Sequence, residues 1–152
     1  MNTKTNVKPA SLRERVYRQG FKDRGICYEC KIAPCEDGFT QCVACRVKMK
    51  QYQKQWRHEA KLKIFDAYGG RFCNCCGETE IMFLCLDHIN NDGAEHRRKL
   101  EGSSRQASKL YRWIIKNNFP IGFQVLCQNC NFGKHLNGGI CPHKSKQVLY
   151  AS

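Results

Sequence analysis

A small α+β fold stapled by zinc is what the sequence predicts, and three observations carry that prediction. Twelve cysteines stand in a chain of 152 residues, and eight of them form four C-x-x-C pairs: Cys27/Cys30, Cys42/Cys45, Cys73/Cys76 and Cys127/Cys130. That spacing is the one zinc knuckles use. Two short apolar runs, Met82 to Leu86 and Phe123 to Leu126, read as strands between segments whose apolar residues recur at helical steps. Apolar residues are otherwise sparse and charged ones numerous, so a large hydrocarbon core is not expected and a fold this small needs staples.

Zinc is favoured over disulfides because the polar segment Met1 to Ala10 has no apolar core of a signal peptide, which makes the reducing cytoplasm the expected compartment. No run of about eighteen apolar residues exists, so no membrane span is expected. The formal net charge is +13. Four thiolates around one divalent zinc carry −2, so two such sites leave roughly +9. A chain that basic is expected to bind a polyanion, with nucleic acid ahead of an anionic membrane.

Five segments follow from turns and composition. Residues 1–25 form a basic arm and a short helix opened by a Ser11-x-x-Glu14 capping box and ended at Gly20. Residues 26–45 form a zinc ribbon, with eleven residues between its knuckles and turns at Pro34 and Asp37-Gly38. Cys35 is either a bystander on that turn or an alternative ligand, and the first is preferred because Cys27, Cys30, Cys42 and Cys45 already complete a tetrahedron.

Residues 46–68 contain neither Pro nor Gly and place Met49, Tyr52, Trp56 and Ala60 on one helical stripe. The remaining faces carry Arg46, Lys48, Lys50, Lys54, Arg57 and Lys61, a density suited to a DNA backbone, against the plainer reading of a solvated linker. His58 reads as exposed. Gly69-Gly70 then opens a second cysteine module, residues 69–140, followed by a tail, 141–152, in which Cys141 and His143 look like half a zinc site without partners.

In the second module, Cys73 and Cys76 must meet Cys127 and Cys130 on one ion, which makes the two strands neighbours. Leu110, Trp113 and Ile114 mark a helix over 108–117, and another helix begins at Cys127-Gln-Asn-Cys130. Asn131 and His135, four apart, share a face of it. Asp87-His88 closes the first strand opposite that face. A carboxylate from Asp87 and an amide oxygen from Asn131 suit a hard cation such as Mg²⁺ or Mn²⁺. His88 is left as a general base for water attacking phosphorus, with 5′-phosphate and 3′-hydroxyl products. Cys85 reads as a small core residue and Cys75 as a spare thiol.

The string Leu86-Asp87-His88-Ile89-Asn90-Asn91-Asp92-Gly93, then His96-Arg97, Tyr111-Arg112-Trp113 and Gly122-Phe-Gln-Val-Leu-Cys127-Gln-Asn-Cys130-Asn131 resembles the phage HNH endonucleases, of the recombination endonuclease VII type and the free-standing homing type. The resemblance covers about residues 71–139. It implies a zinc-fastened ββα-metal (His-Me) nuclease domain over 69–140, with Asp87 and Asn131 as ligands of one catalytic cation and His88 as general base. His135 stands where some members place a further metal or phosphate ligand, although it or Lys134 could instead contact the DNA backbone. His96 is read as polarising the scissile phosphate or binding backbone, and Arg97 as a DNA contact.

The expectation is therefore a metal-dependent endonuclease acting on double-stranded DNA, as monomer or homodimer, with two structural zinc ions and one catalytic Mg²⁺ or Mn²⁺. If the gene is a phage's, the host cytoplasm is its place of action. Nicking, junction cleavage and homing all remain compatible. The alternative is a non-catalytic zinc-finger DNA-binding regulator in which Asp87 and His88 are structural. A zinc nucleobase deaminase is set aside, because no H-x-E with a following P-C-x-x-C is present.

Overall fold

The structure, a computed structural model, describes residues 12–100 and 107–144. The chain divides into two compact units, Met1–Gln55 and Trp56–Ser152. The described elements are α1 (Leu12–Asp23), α2 (Val43–Ala67), β1 (Leu84–His88), α3 (Gly93–Lys99), α4 (Ala107–Lys116), β2 (Phe123–Cys127) and α5 (Gln128–Leu136). The fold is thus a small α+β one with a two-stranded antiparallel sheet. No helix among the described residues is long and apolar enough to cross a membrane.

In the first unit, α1 continues through Gly20, where the sequence suggested an end. One helical glycine costs only about 1 kcal/mol relative to alanine and does not by itself stop a helix. The stop comes at Gly25, whose φ of +66° suits a residue without Cβ. There Ile26 N–H donates to the Phe21 carbonyl and Gly25 N–H to that of Lys22, the paired bonds of a Schellman end. Ser11, the first half of the expected capping box, lies outside the described residues. The expected ribbon reduces to turns around one isolated antiparallel bridge, Ile26 to Pro34. Cys27 and Cys42 are the buried side chains among the described residues of this unit, so sulfur takes the place of a hydrocarbon core.

The second unit has a conventional core. Ile64 and Phe65 from the end of α2, Leu84 from β1, Ile114 from α4, and Val125 and Leu126 from β2 are all fully buried or nearly so. The apolar stripe expected on the long helix is therefore real only in its second half: Trp56 packs on this core and Ala60 is within it, whereas Tyr52 is exposed. Gly70, with φ +118°, takes the chain out of α2, and its N–H donates to the Phe65 carbonyl.

β1 begins two residues later than the apolar run suggested. Phe83 N–H bonds to the Glu80 carbonyl in a turn, which leaves Met82 and Phe83 exposed. Leu84 then pairs with Cys127, Leu86 with Val125 and His88 with Phe123. The segment after His88, read as a turn, contains α3. Cys141, expected in a loose tail, is instead buried in the core of this unit.

Ile114→Ala should destabilise the second unit by about 2–5 kcal/mol through the cavity it leaves. The fully exposed Ile121, changed to alanine, should move stability by no more than about 0.5 kcal/mol. Thermal melts of the two variants against the parent check both figures.

Candidate metal centres and candidate active site

The four C-x-x-C pairs meet as two four-cysteine clusters. Cys27, Cys30, Cys42 and Cys45 form one, Cys73, Cys76, Cys127 and Cys130 the other, and within each the sulfurs lie within 4.8 Å of one another. All twelve cysteines are thiols rather than halves of disulfides. Cys30 Sγ and Cys42 Sγ are 3.9 Å apart, and Cys76 Sγ and Cys127 Sγ 3.7 Å. A tetrahedron with Zn–S bonds of about 2.3 Å has edges of about 3.8 Å, so both clusters could hold zinc.

The backbone builds these sites locally. Gly77, at φ +79°, donates its N–H to the Cys73 carbonyl and turns the knuckle. Asn74 N–H docks that knuckle on the Val125 carbonyl of β2. Cys127 is the N-cap of α5 and its Sγ accepts from Cys130 N–H at 3.4 Å.

Burial raises the Cys27 thiol, but backbone hydrogen bonds around Cys30, Cys42 and Glu29 outweigh it and bring the group to about 6. Cys73 is likewise brought to about 7 against burial by bonds around Cys76, Cys127 and Cys75. The neighbouring sulfur of Cys42 pushes Cys45 up to about 12. Burial, then the sulfurs around it, push Cys130 upward. Each cluster therefore favours some thiolates and penalises the rest, a conflict that a bound cation relieves.

Two of the residues expected to converge on a catalytic cation, Asp87 and Asn131, are each engaged by a protein side chain. Asp87 is buried, and its Oδ2 accepts from Lys134 Nζ and from Gln124 Nε2, both at 2.7 Å. Lys134 Nζ also donates to the His88 carbonyl at 2.6 Å. Asn131 Nδ2 donates to Cys85 Sγ at 3.4 Å. A carboxylate and an amide oxygen suit a hard cation in kind. Here, however, an ammonium already balances Asp87, so the pair as placed does not fit Mg²⁺.

His135, the suggested further ligand, is exposed; Lys134, one residue earlier, is the side chain that α5 aims at Asp87. The reading of Lys134 as a DNA contact fails for the same reason, since only 4 % of it is accessible.

His88 faces the other way, as successive residues of a strand must. It lines an open cleft of about 260 Å³ with His96, Asp92, Glu95, Trp113 and Phe123 among its walls. Its Nε2 lies 2.9 Å from His96 Nδ1. The His88 ring is 4.7 Å from that of Phe123, and His96 stands edge-on to Trp113 at 4.4 Å. Burial, reinforced by neighbouring His96, lowers the His88 pKa, and burial lowers that of His96. Gly93 completes the arrangement, because a Cβ there would stand 2.9 Å from His88 Nδ1. The sequence marked Gly93 only as a turn; its role comes from a close approach that no local pattern reveals.

Of the expected DNA-contacting side chains, Lys48, Lys50, Lys54, Arg57 and Arg97 are exposed. Arg46 is instead ion-paired with Glu36 and lies 3.5 Å over the Phe39 ring. Lys61 Nζ donates to the Ile81 carbonyl at 2.7 Å. No protein-family model matches the chain, and no curated protein or solved structure matches it either.

Lys134→Ala should cost about 3–5 kcal/mol, because it leaves the Asp87 carboxylate buried without its partner; chemical denaturation measures it. Cys42→Ser should lower the zinc content of the purified chain by one ion while leaving the melting of the second unit in place, and elemental analysis with calorimetry reads both.

Proposed function

We propose that the chain is an HNH-type DNA endonuclease, its β1, β2 and α5 forming a ββα-metal nuclease domain, with His88 as the general base. The observation that carries the proposal is the setting of the His88 imidazole. Its Nε2 is engaged by His96, and the absence of a side chain at Gly93, where a Cβ would stand 2.9 Å from Nδ1, lets the ring sit close against α3. In the tautomer with the proton on Nε2, that proton is donated to His96 Nδ1 and the lone pair on His88 Nδ1 is left to accept.

A water held at Nδ1 would lose its proton to the ring as it attacks a phosphorus in the cleft, leaving 5′-phosphate and 3′-hydroxyl ends. His96 fixes the plane of the base, and Phe123 and Trp113 wall it. The exposed Lys48, Lys50, Lys54, Arg57 and Arg97 supply cationic charge for the phosphates of double-stranded DNA. A divalent Mg²⁺ or Mn²⁺ would supply charge stabilisation at the departing oxygen. Its expected donors, Asp87 and Asn131, could take it only with Lys134 displaced.

The buried Lys134–Asp87 pair specifically favours a second reading, a non-catalytic zinc protein that binds DNA and uses Asp87 structurally. Incubation with supercoiled plasmid and Mg²⁺ or Mn²⁺ separates the two. The endonuclease nicks the plasmid, and His88→Ala abolishes nicking while zinc content and DNA retention stay at the parent level. A parent protein that retains DNA without cutting it, or a His88→Ala variant with full activity, overturns the proposal. Gly93→Ala, which forces the imidazole to shift, should slow nicking at least about tenfold with DNA retention unchanged, as a rate assay on the same plasmid would show.

A further inference from the structure

Three residues that neither four-cysteine cluster uses gather around one sulfur of the second. Cys75, Cys141 and His143 join Cys130 in a quartet whose ligand atoms all lie within 4.8 Å of one another. His143 Nδ1 is 3.3 Å from Cys130 Sγ, 3.8 Å from Cys141 Sγ and 4.0 Å from Cys75 Sγ. For a tetrahedral zinc with Zn–S of about 2.3 Å and Zn–N of about 2.05 Å, the sulfur-to-nitrogen edge is about 3.5 Å. The three distances bracket it.

The chain is folded back to make this meeting. α5 ends in a left-handed turn at Gly138 and Gly139, with φ +61° and +101°, and Gly139 N–H donates to the Lys134 carbonyl. Asn137 Nδ2 then holds the Ile140 carbonyl. Pro142 packs so closely on α5 that a Cβ at Gly133 would stand 3.1 Å from its Cδ. Cys141 is thereby buried. The turn Cys73-Asn-Cys-Cys76 brings Cys75 to the same place. An apolar packing role would account for the buried Cys141. It would not account for an imidazole nitrogen aimed at three sulfurs by a residue that is otherwise exposed.

We propose that Cys75, Cys130, Cys141 and His143 bind a further zinc ion, with the Cys130 thiolate bridging it to the zinc of Cys73, Cys76, Cys127 and Cys130. The donor set, three sulfurs and one imidazole, selects a soft or borderline cation over Mg²⁺. A thiolate sulfur has lone pairs enough for two ions. Sharing Cys130 also settles the charge: the second ion brings +2 and deprotonates only Cys75 and Cys141, so the binuclear centre carries the same −2 as a single four-cysteine site. The ion would clamp the residues after α5 onto the knuckle before β1, adding a second closure to the unit that already joins β1, β2 and α5. This centre is structural and does not depend on the nuclease reading.

The test is zinc stoichiometry of the full chain, purified under reducing conditions, by elemental analysis. Three zinc ions per chain are expected, with one fewer in the Cys141→Ser/His143→Ala double variant and likewise one fewer in Cys75→Ser. A zinc count that the double variant and Cys75→Ser leave unchanged overturns the site. Substitution with ¹¹³Cd reports the bridge in the unmutated protein, independently of how the variants fold. The β protons of Cys130 should couple to two cadmium nuclei; coupling to one alone overturns the shared thiolate. Neither measurement involves DNA, so a chain that fails to nick plasmid but holds the third ion would leave this centre standing.

Discussion

Cys76 and Cys127 stand 51 residues apart in the chain, and their sulfurs lie 3.7 Å apart in the fold. Almost everything in the second unit is arranged by that closure. A zinc ion held by such a quartet contributes roughly 10 to 16 kcal/mol of apparent binding free energy, as much as the whole net stability of an ordinary small domain. Without it the loop-closure entropy of the intervening segment would fall on a sheet of two five-residue strands and the small apolar core packed on it, and a pair of strands by itself is marginal in water. The first unit makes the dependence plainer, because its buried side chains among the described residues, Cys27 and Cys42, both belong to its four-cysteine cluster. Sulfur chemistry here stands where hydrophobic burial usually does.

The closure also sets the orientation of the helix that follows. Cys127 is both a member of the four-cysteine cluster and the N-cap of α5, so the cluster determines where the helix starts and which of its residues face the sheet. That phase turns Asn131 toward Cys85 and Lys134 toward Asp87. Lys134 then grips two consecutive residues of β1, the Asp87 carboxylate and the His88 carbonyl. A buried ion pair is weak evidence for net stability, since desolvation offsets much of its attraction. Its stronger effect here is on register, because a slip of β1 by one residue would bury the imidazole and expose the carboxylate.

How far the sequence carried the fold depends on the range of each determinant. The knuckles, β2, α4 and α5 were legible because spacing and periodicity are local, and the meeting of the distant pairs followed from the valence of zinc. α3 was missed because a glycine and asparagine run reads as a turn. Its first residue is glycine for a reason outside the run, the nearness of the His88 ring. His135 was preferred to Lys134 because positions three and four apart are both neighbours on a helix. Only the capping residue decides which of them faces inward. Cys75 read as a spare thiol, and Cys141 and His143 as half a site without partners, because the reversal after α5 that brings them together is not displayed by sequence spacing.

The two faces of β1 place its last two residues in different surroundings. Asp87 belongs to the interior, where Lys134 and Gln124 satisfy it. His88 belongs to the cleft, where His96 and Phe123 hold it. The two are linked through a single ammonium, since Lys134 balances the charge of one residue and binds the backbone of the other. A cation entering at Asp87 would have to displace that ammonium, which would also release the His88 carbonyl. The surroundings of the carboxylate and the placement of the imidazole are therefore linked through Lys134, although the two side chains point to opposite faces of the strand.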